Sequence, residues 1–241
     1  MLKTLIEVED WINLYNIYYF FIYYMAEILI NGEPFYYEKL AQDTNFFDKE
    51  IAADFLSILK EVFDKRGIMF FLNCGTLLGA YREHDFIAHD VDMDLGIFEK
   101  DLDSFYQLIP ELDQRGVKLC RVWGKIFFTF IYKEVICDFN VYYKAGFPYK
   151  YFFYGVAEGK YVPKKYLSEF VLYDFQGNQY YIPKSPEKYL EMMYGKDWRT
   201  PIKGKPGDSI PKWMVLERLY RKVKRKIRFL KCKYIDHKPF E

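Results

Sequence analysis

Asp92 and Asp94 lie two residues apart in the run Asp90–Phe98, where acids alternate with apolar residues. In an extended strand, residues two apart face the same side. Both carboxylates would therefore share one small volume, while Val91, Met93 and Leu95 face the packed side. Like charges held that close raise each other's pKa unless a cation lies between them, and Mg²⁺ or Mn²⁺ suits oxygen ligands. Asp90 can join the pair from the mouth of the strand. The competing reading is an edge strand with a solvated acidic face, which is the commoner fate of an isolated Asp-x-Asp.

The elements before the pair favour the chemical reading. Asp48 to Lys65 reads as an amphipathic helix with Asp48 as its N-cap and Ile51, Phe55, Ile58, Leu59 and Val62 on one face. Gly67 ends it, Ile68 to Leu72 reads as a buried strand, Asn73 to Thr76 as a turn and Leu77 to Tyr81 as a short helix. Gly75 and Thr76 then stand where backbone N–H groups and a helix N-terminus favour phosphate. Asp138 lies in the strand Val135 to Tyr142 among apolar neighbours, where a lone carboxylate is costly. It is either a third metal-facing acid or half of a buried ion pair with Lys125 or Lys133. Arg82 is a candidate for bidentate phosphate pairing, against a surface ion pair with Glu83 or Asp85. Lys125 could neutralise phosphate or simply be solvated beside Gly124. His84 and His89 are possible donors without a metal-ligand partner at helical spacing.

The rest of the chain supplies a frame. Asp101 to Leu112 reads as a helix, and Val117 to Val122, Ile126 to Tyr132 and Val135 to Tyr142 as strands of a mixed sheet. Gln176-Gly177-Asn178 marks a hairpin, and Ser185 and Pro186 open a helix through Tyr194. Tyr194, Gly195 and Trp198 either shape a pocket or end that helix. Trp11 to Ile30 is aromatic and interrupted by Asn13, Asn16 and Glu27, which predicts a buried or interfacial helix rather than a bilayer span. Three segments follow: an aromatic helical one over 1–47, a catalytic domain over 48–211 and a basic amphipathic helix over 212–241.

Composition narrows the classes. Hydrophobic residues are 51% and aromatics 21% of the 241 residues, which argues against global disorder. The four cysteines have no zinc-like spacing, and the start of the chain has no secretory pattern, so reduced thiols in the cytoplasm are the expectation. Net charge is +1, yet Lys212 to Lys233 holds ten Lys or Arg against one acid, so the remainder is acidic and poorly suited to nucleic acid. The basic segment suits an anionic membrane surface or a solvated face of a packed helix.

Gly75-Thr76-Leu77-Leu78-Gly79-Ala80-Tyr81-Arg82, then Phe86-Ile87, then His89 through Phe98, resembles the LicD and fukutin family, nearer its fukutin-type members. Gly124-Lys125, Asp138, Ile182-Pro183-Lys184, Tyr194 through Trp198 and Pro201 resemble its later blocks in the same order. The likeness covers roughly residues 65 to 213. It implies a nucleotidyltransferase fold of the polymerase β type, an α/β domain with a mixed β-sheet flanked by helices. It also implies Mg²⁺-dependent transfer of a phospho-alcohol from a CDP-linked donor to a glycan hydroxyl, releasing CMP. By the same resemblance Asp92 and Asp94 hold the metal against the donor diphosphate, Asp138 completes the site, and Gly75 and Thr76 cradle phosphate. His89 and Ala88 replace the Trp and Pro common in LicD relatives, a departure that bears on substrate identity. A lipid-linked glycan acceptor would suit a cytoplasmic enzyme peripheral on the inner membrane face. Two other classes stay open: transfer of a nucleoside monophosphate to a nucleic acid or protein, and a non-catalytic membrane-associated scaffold.

Overall fold

Asp48 has an extended backbone and its carboxylate accepts from the N–H groups of Glu50 and Ile51, which satisfies two of the orphan donors of a helix start. Helix α1, Lys49–Lys65, follows where expected in a computed structural model that describes residues 25–40, 46–146, 149–157 and 160–201. Gly67, at φ +64°, takes the chain out of it.

The expected N-terminal helix meets a correction. The part of Trp11–Ile30 that is described forms strand β1, Met25–Ile30, paired antiparallel with β2, Glu33–Glu38. Asn31 and Gly32 join them with φ of 53° and 86°. Two successive left-handed residues make the tight turn whose twist matches a hairpin, and Asn-Gly adopts it cheaply. The turn residues therefore outweigh the apolar length. The remainder of that segment and the basic helix expected over 212–241 lie outside the described residues.

Strand β3 is confined to Phe71–Leu72, and helix α2 begins at Cys74 and runs to Arg82, earlier than the Leu77 start expected. Asn73 is its N-cap residue and its carbonyl accepts from the Leu77 N–H. Strand β4 is Asp92–Phe98, helix α3 Leu102–Gln114, and strands β5, β6 and β7 are Lys118–Trp123, Phe127–Tyr132 and Val135–Lys144. The aromatic stretch after Phe147 contains β8, Phe153–Val156, which pairs with β9, Lys160–Pro163. Strands β10, Phe170–Phe175, and β11, Asn178–Pro183, turn at Gln176-Gly177 with φ of 49° and 75°. Helix α4, Pro186–Tyr194, has Pro186 in its first turn, but the Ser185 side chain makes no capping bond.

These strands form one mixed sheet in the order β10-β11-β3-β4-β7-β6-β5, with β8 and β9 continuing from the far end of β7. The central pair β4 and β7 is parallel, β3 runs antiparallel to β4 and parallel to β11, and β6 runs antiparallel to both β7 and β5. One face packs on α1 and α3: the Phe63 and Phe105 rings lie 5.5 Å and 5.4 Å from the Phe139 ring. The opposite face carries the acids of β4 and is flanked by α2 and α4. No helix among the described residues is long and apolar enough to cross a membrane.

Candidate active site

The alternation of β4 buries Met93, Leu95 and Ile97 against the helices and turns Asp92 and Asp94 to the other face. Register then places Asp138 of β7 directly beside Asp94. Neighbouring strands lie only about 4.8 Å apart. Across the next ladder Thr129 of β6 faces Asp138, and its hydroxyl donates to Asp138 Oδ1 at 2.6 Å. The expected three carboxylates therefore come together on one face.

Asp90 completes the cluster from the turn that precedes β4, where its N–H donates to the Ile87 carbonyl at 3.2 Å. A Cβ built on Gly75 would lie 2.6 Å from Asp90 Oδ2 and 3.3 Å from Asp94 Oδ2. Glycine is thus demanded at 75 by the approach of two carboxylates. The Gly75 N–H itself donates to Asp94 Oδ2 at 3.0 Å, and the Asp94 N–H donates to the Thr76 hydroxyl at 2.8 Å. The amide at the start of α2 thus bonds Asp94, and buried Thr76 accepts a backbone hydrogen bond, so both position the Asp94 carboxylate.

Electrostatics records the crowding. Burial first, then the neighbouring Asp92 charge, push the Asp94 carboxyl well above the usual carboxylate range; the Gly75 N–H opposes this, and Asp138 and Asp90 add to it. Burial, followed by Asp92, pushes Asp90 up to about 6. Cys74, at the first turn of α2 with φ +36°, has its thiol raised well above normal by burial and by Asp94, Asp92 and Asp90. It is protonated at neutral pH and a poor nucleophile. Burial, followed by Cys74, Asp94 and Asp90, raises the Tyr194 hydroxyl at the end of α4.

These donors fit a hard divalent cation. All are carboxylate oxygens, their mutual repulsion is what a cation relieves, and Gly75 leaves room for them to converge. Among the described residues no three His, Cys, Asp or Glu side chains are already drawn in to hold an ion unaided. Mg²⁺ commonly takes one or two carboxylates and fills its octahedron with water and substrate phosphate.

Other expected residues fall elsewhere. The Arg82 guanidinium is largely buried, donating to the Trp198 carbonyl at 3.2 Å and to Glu83 Oε1 at 2.5 Å, while its Nε has no hydrogen-bond partner. It ties the end of α2 to the segment after α4. Lys125 is exposed in the β5–β6 turn, where Ile126 bonds the Val141 backbone, three residues up the strand from Asp138. Lys133 pairs with Asp54 at 3.4 Å. His89 is exposed in the turn beside Asp90, and the His84 ring meets the Tyr173 hydroxyl at 3.1 Å.

Two features had no signal in spacing. Lys160, at the start of β9, is close enough for its charge to lower the Cys74 thiol pKa, so it is a cation near the acids. Buried Asn73 accepts from the Tyr142 hydroxyl at 3.1 Å and the Tyr189 hydroxyl at 2.7 Å, and those hydroxyls are 2.9 Å apart. Its backbone N–H donates to the Asp94 carbonyl at 3.1 Å. This polar knot braces the start of α2 against β7 and α4.

Residues 67–185 match the family model described as LicD/FKTN/FKRP, nucleotidyltransferase domain. The chain is 28% identical over 175 residues to "Ribitol-5-phosphate transferase FKTN" of Macaca fascicularis, covering 64% of this chain and 34% of that protein. The Homo sapiens protein of the same name is 27% identical over 175 residues with the same coverage. This chain thus spans about a third of the length of those relatives. The solved antibiotic-resistance factor ANT(2'')-Ia overlays at a TM-score of 0.45 and 13% identity, over 78% of this chain and 100% of that one.

Proposed function

We propose, from the premise that this chain belongs to the LicD/FKTN/FKRP family through residues 67–185, that it is a metal-dependent phosphotransferase. It moves a phospho-alcohol (phosphocholine, ribitol phosphate or glycerol phosphate) from a CDP-activated donor to a hydroxyl of a cell-surface glycan and releases CMP. The name of the FKTN relatives supports ribitol phosphate among these groups. The observation that carries the reading is the convergence of Asp90, Asp92 and Asp138 on Asp94, two of these acids meeting at Gly75.

Asp92 and Asp94, with Asp90 and Asp138 beside them, are the residues that would hold Mg²⁺ or Mn²⁺. The ion, when bound, supplies charge neutralisation of the carboxylates and of the donor diphosphate. The Gly75 N–H and the Thr76 hydroxyl fix Asp94 in place. Thr129 fixes the Asp138 carboxyl, which takes the proton of the acceptor hydroxyl. The acceptor oxygen bonds to the phosphorus that carries the alcohol, the bond from that phosphorus to the bridging oxygen breaks, and the electron pair leaves with CMP. Lys160 adds positive charge on the side of Cys74. Location at the inner membrane face, with a lipid-linked glycan as acceptor, belongs to the same proposal and rests on the basic segment from Lys212 to Lys233.

The test is CMP release from CDP-ribitol, CDP-choline and CDP-glycerol with Mg²⁺ and a glycan acceptor. Turnover is expected to require divalent metal and to fall by at least a hundredfold in Asp92→Asn and in Asp94→Asn. Full turnover in either variant would remove the metal role. Incorporation of label from an α-phosphate-labelled nucleotide into polymer would move the protein to the nucleotidyl-transfer class instead.

A further inference from the structure

Strand registers extend the acid face sideways into a second set of residues. Asp94 is level with Asp138, Asp138 with Thr129, and Thr129 with Arg121 of β5. Side chains level with one another on adjacent strands point to the same face, so these four form one transverse row. One step further along the same face, Gly96 is level with Asn140, Asn140 with Phe127, and Phe127 with Trp123. Phe128 and Phe130, which alternate with these residues, belong to the core beneath α3, and a bulge between Leu119 and Arg121 shifts β5 so that Arg121 is level with Thr129. Trp123 is 55% exposed, while Arg121, Phe127 and Asn140 are partly exposed. The structure thus presents carboxylates on β4 and β7, a guanidinium two strands away on β5 and, one step along the strands, an aromatic pair on β6 and β5.

That order matches a nucleoside diphosphate. With strands about 4.8 Å apart and residues two apart along a strand about 6.7 Å apart, Arg121 lies roughly 10 Å and Trp123 roughly 12 Å from Asp138 between Cα positions. Arginine presents a planar fork suited to a phosphate, and its long side chain spans much of the distance back to the acids. Flat apolar rings stack on a nucleobase.

We propose that Arg121 of β5 binds the diphosphate of the donor on the side away from α2, and that Trp123 and Phe127 form the platform on which its base stacks. Asn140, between the platform and the acids, is placed to hydrogen-bond the ribose. The assignment rests on the reading of Asp92, Asp94 and Asp138 as the metal-phosphate centre, and it names which edge of the sheet receives the nucleotide.

The test is calorimetric titration of the whole chain with CDP and with CMP in Mg²⁺. Arg121→Ala is expected to weaken CDP about tenfold or more and CMP less, because CMP lacks the second phosphate. Trp123→Ala is expected to weaken both nucleotides roughly tenfold, with binding restored in Trp123→Phe. Should Arg121→Ala fail to fold, Arg121→Lys is read instead: it keeps the charge, loses the fork, and is expected to lose several-fold in CDP affinity. Wild-type affinity for CDP in the readable Arg121 variant and in Trp123→Ala, alongside weakened binding in Asp94→Asn, overturns this assignment and leaves the proposed function standing. A wild-type chain that binds no CDP in Mg²⁺ overturns both. Loss of glycan-acceptor binding in Trp123→Ala without loss of CDP overturns the nucleotide platform and transfers it to the acceptor.

Discussion

Gly75 shows how much of the site can turn on one hydrogen atom. Its backbone is helical, a conformation in which alanine is preferred over glycine, so Gly75→Ala should not harm α2 through propensity. The added methyl would meet Asp90 Oδ2 at 2.6 Å and drive that carboxylate away from Asp94. Mg²⁺ affinity is therefore expected to fall about tenfold, read as a rightward shift of the Mg²⁺ concentration that raises Tm; an unshifted midpoint would separate Asp90 from the metal centre. Asp90 also sets a pH dependence. Its folded pKa of about 6 exceeds the ordinary 3.8, so its ionisation opposes folding: the penalty is absent below pH 3.8, grows as pH rises, and is complete above about 6. In EDTA, lowering the pH from 7.5 toward 5 is expected to raise Tm, and saturating Mg²⁺ at pH 7.5 to produce a similar gain. A metal-free chain whose Tm falls steadily over that interval would contradict the crowding.

At the level of elements, legibility tracked how local the determining physics was. Helix α1 could be read because Asp48 and the apolar stripe lie within its own segment, and β10–β11 because the residues at its turn demand left-handed backbone. Asn31-Gly32 carried the same turn signal, yet the aromatic run around it reads equally well as an interfacial helix, and only pairing with β2 decides between them. The Asp92 and Asp94 pair was legible from a period of two. For Asp138 the sequence leaves a metal ligand and an ion pair open, since the parallel β4–β7 register that sets it beside Asp94 joins strands far apart in sequence. Arg82 shows the converse: its neighbours suggest either phosphate pairing or an ion pair with Glu83 or Asp85, and the pair with Glu83 forms while a tertiary bond to the Trp198 carbonyl, invisible in the sequence, joins it. The brace at Asn73 was invisible, because its partners Tyr142 and Tyr189 come from β7 and α4. Tyr189→Phe removes the 2.7 Å bond to Asn73 while keeping the ring. A loss of about 1 kcal/mol in urea unfolding is expected, and an unchanged midpoint would make the knot dispensable.

Across the whole molecule the sheet divides its labour by face, and two adjacent residues of β7 isolate that division. Asp138 turns toward the acids and Phe139 toward α1 and α3, where its ring lies 5.5 Å from Phe63, 5.4 Å from Phe105 and 5.7 Å from Phe130. Phe139→Ala would open a cavity at the meeting point of both helices and two strands, costing about 3–5 kcal/mol. That is a large share of the roughly 5–15 kcal/mol that holds such a domain folded. Turnover per folded molecule should nevertheless stay near wild type, since the acids hang from backbone ladders that the cavity leaves paired. Asp138→Asn is the mirror case. The amide oxygen still accepts from the Thr129 hydroxyl, one like charge leaves a crowded face, and the metal-free chain should be at least as stable as wild type. Turnover should fall by about a hundredfold or more, because an amide accepts no proton from the acceptor hydroxyl. Denaturant titration beside CMP release, both normalised to folded protein, separates the two. If Asp138→Asn unfolded the chain while Phe139→Ala abolished turnover at full stability, the two faces would have exchanged roles and the placement of the active site would be wrong.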